Sequence, residues 1–110
     1  GSPGGSTIIT SIAMVVSNVV DFDMDVAAAT AAPRLHHQHL PDTLRYERGG
    51  LPAATVTALG AMGHAVVERS GYQGDVQSIV ILPNGYQAGV SDPRRGGAAV
   101  GVGEVRRVVQ

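Results

Sequence analysis

A chain of 110 residues is long enough for one domain, and such a domain buries roughly two thirds of the surface its unfolded form exposes. Charged residues make up only 15% against 44% hydrophobic, below the roughly 25% charged of an ordinary free-standing domain, so the chain reads as a piece well buried by something. A net charge of −1 excludes the basic footprint of a nucleic-acid binder, and the absence of cysteine excludes disulfides and thiolate metal sites.

Glycine and proline crowd the opening "GSPGGS", a side-chain-poor turn ahead of an apolar run. From Ser6 to Phe22 the apolar positions Ile8, Ile9, Ile12, Ala13, Val15, Val16, Val19 and Val20 recur at three-and-four spacing, which predicts a helix with a broad buried face and Ser6 as its N-cap. Thr7, Ser11, Met14, Asn18 and Asp21 fall on the opposite stripe. The run from Ile8 to Val20 is too short, too interrupted and without the basic flank needed for a membrane span or signal peptide. No membrane partner is expected.

A second short helix, capped by Asp23, should end before Pro33. Strand-length segments follow at Leu35 to Leu40 and Thr43 to Glu47, separated by a Pro-Asp turn. Pro52 opens a further helix that Gly63 closes, leading into a strand at His64 to Glu68. The clearest hairpin runs from Val76 to Leu82, turns at Asn84-Gly85 and returns over Tyr86 to Val90. A Gly-rich tail of uncertain order closes the chain. This order predicts an α+β layer packing.

Three groups of residues invite functional readings. In "HHQH", His37 and His39 would share one face of a strand, yet no carboxylate or thiolate completes a ligand set with them by spacing, so no metal and no cofactor are expected. Charge runs such as "RYER", "ERSG" and "SDPRR" read as solvated faces. Within them and beside them, Arg34 and Arg94 each follow a proline, and Asp92 precedes Arg94 by two residues, which makes these three candidates for buried ion-pair anchoring. The glycines of the opening turn are the third group: N–H groups at a helix start, unobstructed by side chains, can hold an oxyanion. The same glycines would equally suit a turn needed only for tight packing.

Taken in order, "GSPGGSTIIT", "NVVDFDMDVAAATAAPRLHHQHLPD", "GHAV", "GDVQSIVI", "PNG" and "GVSDPRRGGAAVG" resemble the C-terminal part of the small subunit of gamma-glutamyltransferases. The resemblance covers residues 1–101 and leaves 102–110 as a tail. It departs at His39, where many members carry Trp. It implies part of the αββα sandwich of N-terminal nucleophile hydrolases, made when a precursor cleaves itself into large and small subunits. In that family the new N-terminal threonine attacks the gamma-glutamyl amide, and a glycine pair, here Gly4 and Gly5, forms the oxyanion hole.

The family's Thr-Thr-His nucleophile motif and its Ser-Ser-Met segment are absent from these 110 residues, and Thr7, Thr10 and Thr30 lie in helical context. The resemblance therefore implies a fragment, inactive alone, of a parent that transfers gamma-glutamyl groups from glutathione-like donors to amino acids, peptides or water. Expected partners are the remainder of the small subunit, the large subunit and the gamma-glutamyl substrate, with a periplasmic or secreted location for the parent. The isolated chain is expected to be a homo-oligomer. A related cephalosporin or glutaryl acylase, and a non-catalytic assembly module, are the competing readings.

Overall fold

The computed structural model describes residues 1–103; most of the tail expected over 102–110 therefore lies outside the described residues. Two helices come first, α1 (Thr7–Val20) and α2 (Val26–Ala31). Strands β1 (Leu35–His36) and β2 (Leu44–Tyr46), helix α3 (Ala53–Ala61), strand β3 (Val66–Glu68) and the hairpin β4 (Ser78–Ile81) and β5 (Gln87–Val90) follow. The strands make two sheets. One is three-stranded in the order β1-β2-β3, antiparallel then parallel, and the other is the β4-β5 pair.

Several local expectations are corrected. Asp25, not Asp23, caps α2: its carboxylate accepts from the Ala28 N–H at 2.7 Å, while Asp23 takes a positive φ of 53° in the link between the helices. The strand expected over Leu35 to Leu40 stops at His36, because His39 adopts a positive φ of 71° and turns the chain. The hairpin turn is longer than a two-residue Asn-Gly loop. Gly85 N–H reaches back to Leu82 O at 2.8 Å, so Pro83 and Asn84 occupy the turn centre and Gly85 supplies the left-handed residue after it.

The largest correction concerns α1. Its fully buried residue is Ser11, from the supposed solvent stripe, and Val15 is the buried apolar position. Ile9 is 76% exposed, Val16 54% and Val20 74%. The polar stripe faces inward because its groups find partners there: Asn18 Nδ2 donates to Ala29 O, Gln73 Nε2 donates to Ser11 Oγ, and Leu35 N–H points at Met14 Sδ. A Cβ on Gly74 would press against Ser2 Oγ and Ser11 Oγ at 2.7 and 2.8 Å, so only glycine lets the 73–76 segment lie this close to the helix.

The apolar core is correspondingly small. Val15, Ala29 and Val76 form it, with Ile12, Val19 and Met24 packed around them. Helix α3 buries none of its residues. Among the described residues no helix is long and apolar enough to cross a membrane.

Candidate active-site turn and its support

Gly4 and Gly5 form the turn that launches α1. Their carbonyls accept from Thr7 N–H and Ile8 N–H, both at 3.1 Å, and the Thr7 hydroxyl also donates to Gly4 O at 2.8 Å. In a planar trans peptide the N–H opposes the preceding carbonyl, so with Gly4 O fixed toward the helix the Gly5 N–H points away from it. Among the described residues neither glycine N–H has an acceptor. Gly4 has a φ of 132° and Gly5 a φ of 59°, followed by Ser6 in the right-handed region. Side chains strain at both glycine positions, and a Cβ on Gly4 would also collide with Thr7 Oγ1. Both glycines are exposed. Such a turn, left-handed then right-handed at the positive end of a helix, presents N–H donors to an anion.

Ser6 occupies the N-cap position but its side chain does not cap the helix. Its hydroxyl instead donates to Gln38 Oε1 at 2.8 Å. Gln38 is held in turn by its own bond to Leu40 O and by His36 Nε2, while His36 Nδ1 meets Thr10 Oγ1 at 2.7 Å.

The chain also holds a buried charge cluster. Arg34 and Asp92 pair at 2.8 Å with side chains 1% and 0% exposed. Arg94 bonds Asp92 Oδ1 at 3.1 Å and makes a two-pronged contact with Glu47, Nη2 to Oε1 at 2.6 Å and Nε to Oε2 at 2.8 Å. The three predicted anchoring residues thus meet in one place, and Glu47 and Gln73 complete the arrangement.

Glu47 was hidden in the sequence by parity. It shares its side of the strand with exposed Arg45, so alternation places it in solvent with the rest of "RYER". The carboxylate is buried because β2 ends at Tyr46, and it there receives the N–H groups of Arg34 and Gln73 at 2.7 and 2.8 Å. Burial alone would raise the Glu47 pKa, but the bonds from Arg94, Gln73 and Arg34 outweigh it and hold the group below its ordinary value. Burial likewise opposes ionisation of Asp92, and the N–H groups of Val76 and Arg94 with both guanidinium groups reverse it. Arg94, desolvated yet flanked by two carboxylates, is pushed further up.

Two cations against two anions leave the cluster neutral. Most of the remaining guanidinium donors go to main-chain carbonyls, Arg34 to Gln73 O and Thr30 O and Arg94 to Thr30 O and Ala32 O, while Arg34 Nε is buried without a partner among the described residues. The cluster therefore joins the end of α2, the exit of β2 and the segments around 73 and 92. It is a clamp with no free acid, base or anion site.

The histidines do not gather. His36 is buried beside Thr10, His37 Nε2 contacts Asp42 at 3.0 Å on the surface, and His39 lies on the loop, so His37 and His39 do not share a strand face. Among the described residues no group of three or more His, Asp or Glu side chains could hold a metal. The three threonines in the first two helices offer no nucleophile. Thr7 binds Gly4 O, Thr10 meets His36, and Thr30 is fully buried in α2.

Comparison with known proteins gives a consistent result. The family model for gamma-glutamyltranspeptidase matches residues 1–102. A glutathione hydrolase proenzyme of Escherichia coli is 49% identical over 94 residues, which are 86% of this chain and 16% of that protein. The crystal structure of an acivicin-inhibited gamma-glutamyltranspeptidase, for which critical roles of the C-terminus in autoprocessing and catalysis are described, superposes with a TM-score of 0.83 at 46% identity. That match covers 86% of this chain and 52% of the other. A gamma-glutamyltranspeptidase of Pseudomonas nitroreducens complexed with L-DON gives a TM-score of 0.84 at 39% identity, over 93% of this chain and 53% of that one. The chain thus spans about half the length of these solved chains and 16% of the curated bacterial relative.

Proposed function

Because the chain belongs to the gamma-glutamyltranspeptidase family, we propose that it supplies the oxyanion hole and part of the core of an enzyme that moves gamma-glutamyl groups. Its α+β fold is part of the αββα sandwich of N-terminal nucleophile hydrolases. The donors are glutathione-like amides and the acceptors amino acids, peptides or water. The observation that carries this reading is the Gly4-Gly5 turn, whose carbonyls are tied to α1 while its N–H groups have no acceptor among the described residues.

In the proposed reaction the hydroxyl of an N-terminal threonine, contributed by a part of the enzyme outside these 110 residues, attacks the gamma-carbonyl and its own amine takes the proton. The carbonyl oxygen becomes an oxyanion facing the N–H groups of Gly4 and Gly5. These donors are fixed before the charge appears, so they need no reorganisation when it forms, which is what makes such a hole effective. Collapse, with that proton passed from the threonine's amine to the leaving nitrogen, releases the amine and leaves an acyl-enzyme, which the acceptor then attacks through a second oxyanion at the same place.

The rest of the enzyme is the proposed partner of the apolar face. A groove of about 430 Å³ between α1 and β4 is lined by residues including Ile12, Val16, Val19, Val20, Ile79 and Val80. The solved relatives are about twice as long as this chain, which supplies a segment to cover it.

In the full-length enzyme, Gly5→Val should raise the chemical barrier by roughly 2–4 kcal/mol, the magnitude of a lost oxyanion donor. The chain by itself should release no product from a gamma-glutamyl anilide, since the N-terminal threonine of the proposed reaction is not among its residues. Full turnover in Gly5→Val rejects the oxyanion assignment. Preference of the full-length enzyme for glutaryl over gamma-glutamyl amides would reassign the substrate class to the acylases.

A further inference from the structure

We infer that Ser6 and Gln38 are positioning residues for the Gly4-Gly5 oxyanion turn, acting through a hydrogen-bonded chain that runs from the turn into the protein through His36, Thr10 and Gln73. This rests on the oxyanion reading of that turn. The first observation is that Ser6 stands where a serine would ordinarily accept a bond from the helix's own N–H groups, yet makes no cap bond and donates outward to Gln38 Oε1 at 2.8 Å. A stabilising role in the helix has been exchanged for a tether to another segment.

The second observation is that the tether has two ends. Ser6 and Thr10 are four residues apart and so lie on one face of the helix start. Gln38 takes the first and His36 Nδ1 the second, at 2.8 and 2.7 Å, so the 36–38 segment holds the opening turn of α1 at two points. Gln38 Nε2 is committed to Leu40 O at 2.9 Å, which leaves Oε1 to accept from both Ser6 and His36. Accepting from His36 requires the proton on Nε2, and the bare Nδ1 then accepts the Thr10 hydroxyl at 2.7 Å, closer than that hydroxyl's other acceptor, Thr7 O at 3.2 Å. Gln73 Nε2 lies 3.2 Å from Thr10 Oγ1, 2.9 Å from Leu35 O and 3.3 Å from Ser11 Oγ, and its two protons are shared among these three acceptors. Gln73 is fully buried and its N–H is bonded to Glu47 of the charge clamp.

The consequence is geometric. Gly5 has no side chain to pin it and a Cβ there would meet no atom within 4 Å; its N–H lies on the Gly4–Gly5 peptide, held by the Thr7 bonds to Gly4 O, and the residue just after it is held by the Ser6 tether. Loss of the tether lets the donors turn away from the developing charge without removing them. Ground-state binding of the glutamyl group is left alone.

The test is a double-mutant cycle in the full-length enzyme, with kcat and KM measured per mole of cleaved enzyme. Ser6→Ala and Gln38→Ala should each lower kcat about three- to tenfold, the worth of one hydrogen bond, with KM unchanged. The double variant should be no slower than the slower single one, because both break the same connection. Ser6→Thr, which keeps the hydroxyl, should retain wild-type kcat. Both residues are exposed in this chain, so the melting temperature should move little, and this is measured alongside. Wild-type kcat in Ser6→Ala, effects that multiply in the double variant, or a loss in KM alone would overturn the inference. Gly5→Val run in parallel separates the two claims. If it is slow while Ser6→Ala and Gln38→Ala are not, only the positioning role falls; if it turns over normally, the oxyanion reading falls and takes this one with it.

Discussion

The charge clamp and the outer faces of α1 and β4 reverse the usual distribution of polar and apolar groups. Arg34, Glu47, Asp92 and Gln73 are buried at 1%, 4%, 1% and 0% exposure, whereas Ile9, Val20, Ile79 and Ile81 stand 63–76% exposed. The clamp is closed: its charges balance, and its carboxylates and most of its donors are satisfied within this chain. The face is open, since apolar burial contributes roughly 25 cal/mol per Å² only when something covers the surface. Internal specification and external assembly are thus assigned to different chemistries. The charges fix which segments meet, while many apolar side chains stand outside the small core of Val15, Ala29 and Val76.

The comparison breaks first if the clamp can lose a member cheaply. Asp92→Ala strands Arg34 and Arg94 without one of their two carboxylates, and should cost about 3–5 kcal/mol of unfolding free energy, the toll of an uncompensated buried charge. Denaturant unfolding checks it. A cost below about 1 kcal/mol would mean that water reaches the cluster.

Acid should act on the clamp and spare the face. Glu47 and Asp92 are both held below their ordinary pKa values in the folded chain. On acidification the unfolded state therefore takes up these protons first. Their stabilisation is complete above the unfolded values, near pH 4, and is lost as pH falls through the lower folded values. Thermal melting followed from pH 6 downward should be flat at first and then fall steeply below about pH 4; a melting temperature that keeps its plateau value through that range would contradict the assignment.

The face is tested by association. We expect the isolated chain to self-associate at micromolar concentration, with exposed α1 and hairpin side chains in the contact. Val16→Asp should shift light scattering toward monomer with little change in secondary structure, because Val16 is 54% exposed and supports no core. A wild-type chain that is monomeric would remove self-association and leave the groove to the rest of the enzyme.

The smallest effect separates the two helix starts. Asp25→Ala removes a real cap and should cost about 1 kcal/mol, whereas Ser6→Ala removes none and should leave the stability of α1 nearly untouched. Equal losses in thermal melts would show that the Ser6 tether carries folding energy as well as position.

Much of this was legible in the sequence because it rests on local rules. Helical spacing placed α1, Pro33 and Gly63 punctuated the later elements, and turn residues marked the hairpin, giving the observed element order. The motif order carried the family. Proline-adjacent arginines near an aspartate were enough to nominate Arg34, Asp92 and Arg94, although local chemistry could not say that they meet.

What the tertiary structure alone decided is which side of each element faces inward. Periodicity shows that α1 has an apolar and a polar stripe, but burial depends on what each stripe meets. Here Gln73 arrives from 62 residues away in sequence to satisfy Ser11, while of the apolar stripe only Val15, with Ile12 and Val19 beside it, packs into the core and Ile9, Val16 and Val20 stay exposed. Glu47 is the same lesson in a strand: alternation assigns it to solvent, and only the approach of Arg94 from 47 residues on turns it into an interior anion. Long-range partners outweigh local pattern because an unpaired buried charge costs several kcal/mol and a paired one does not.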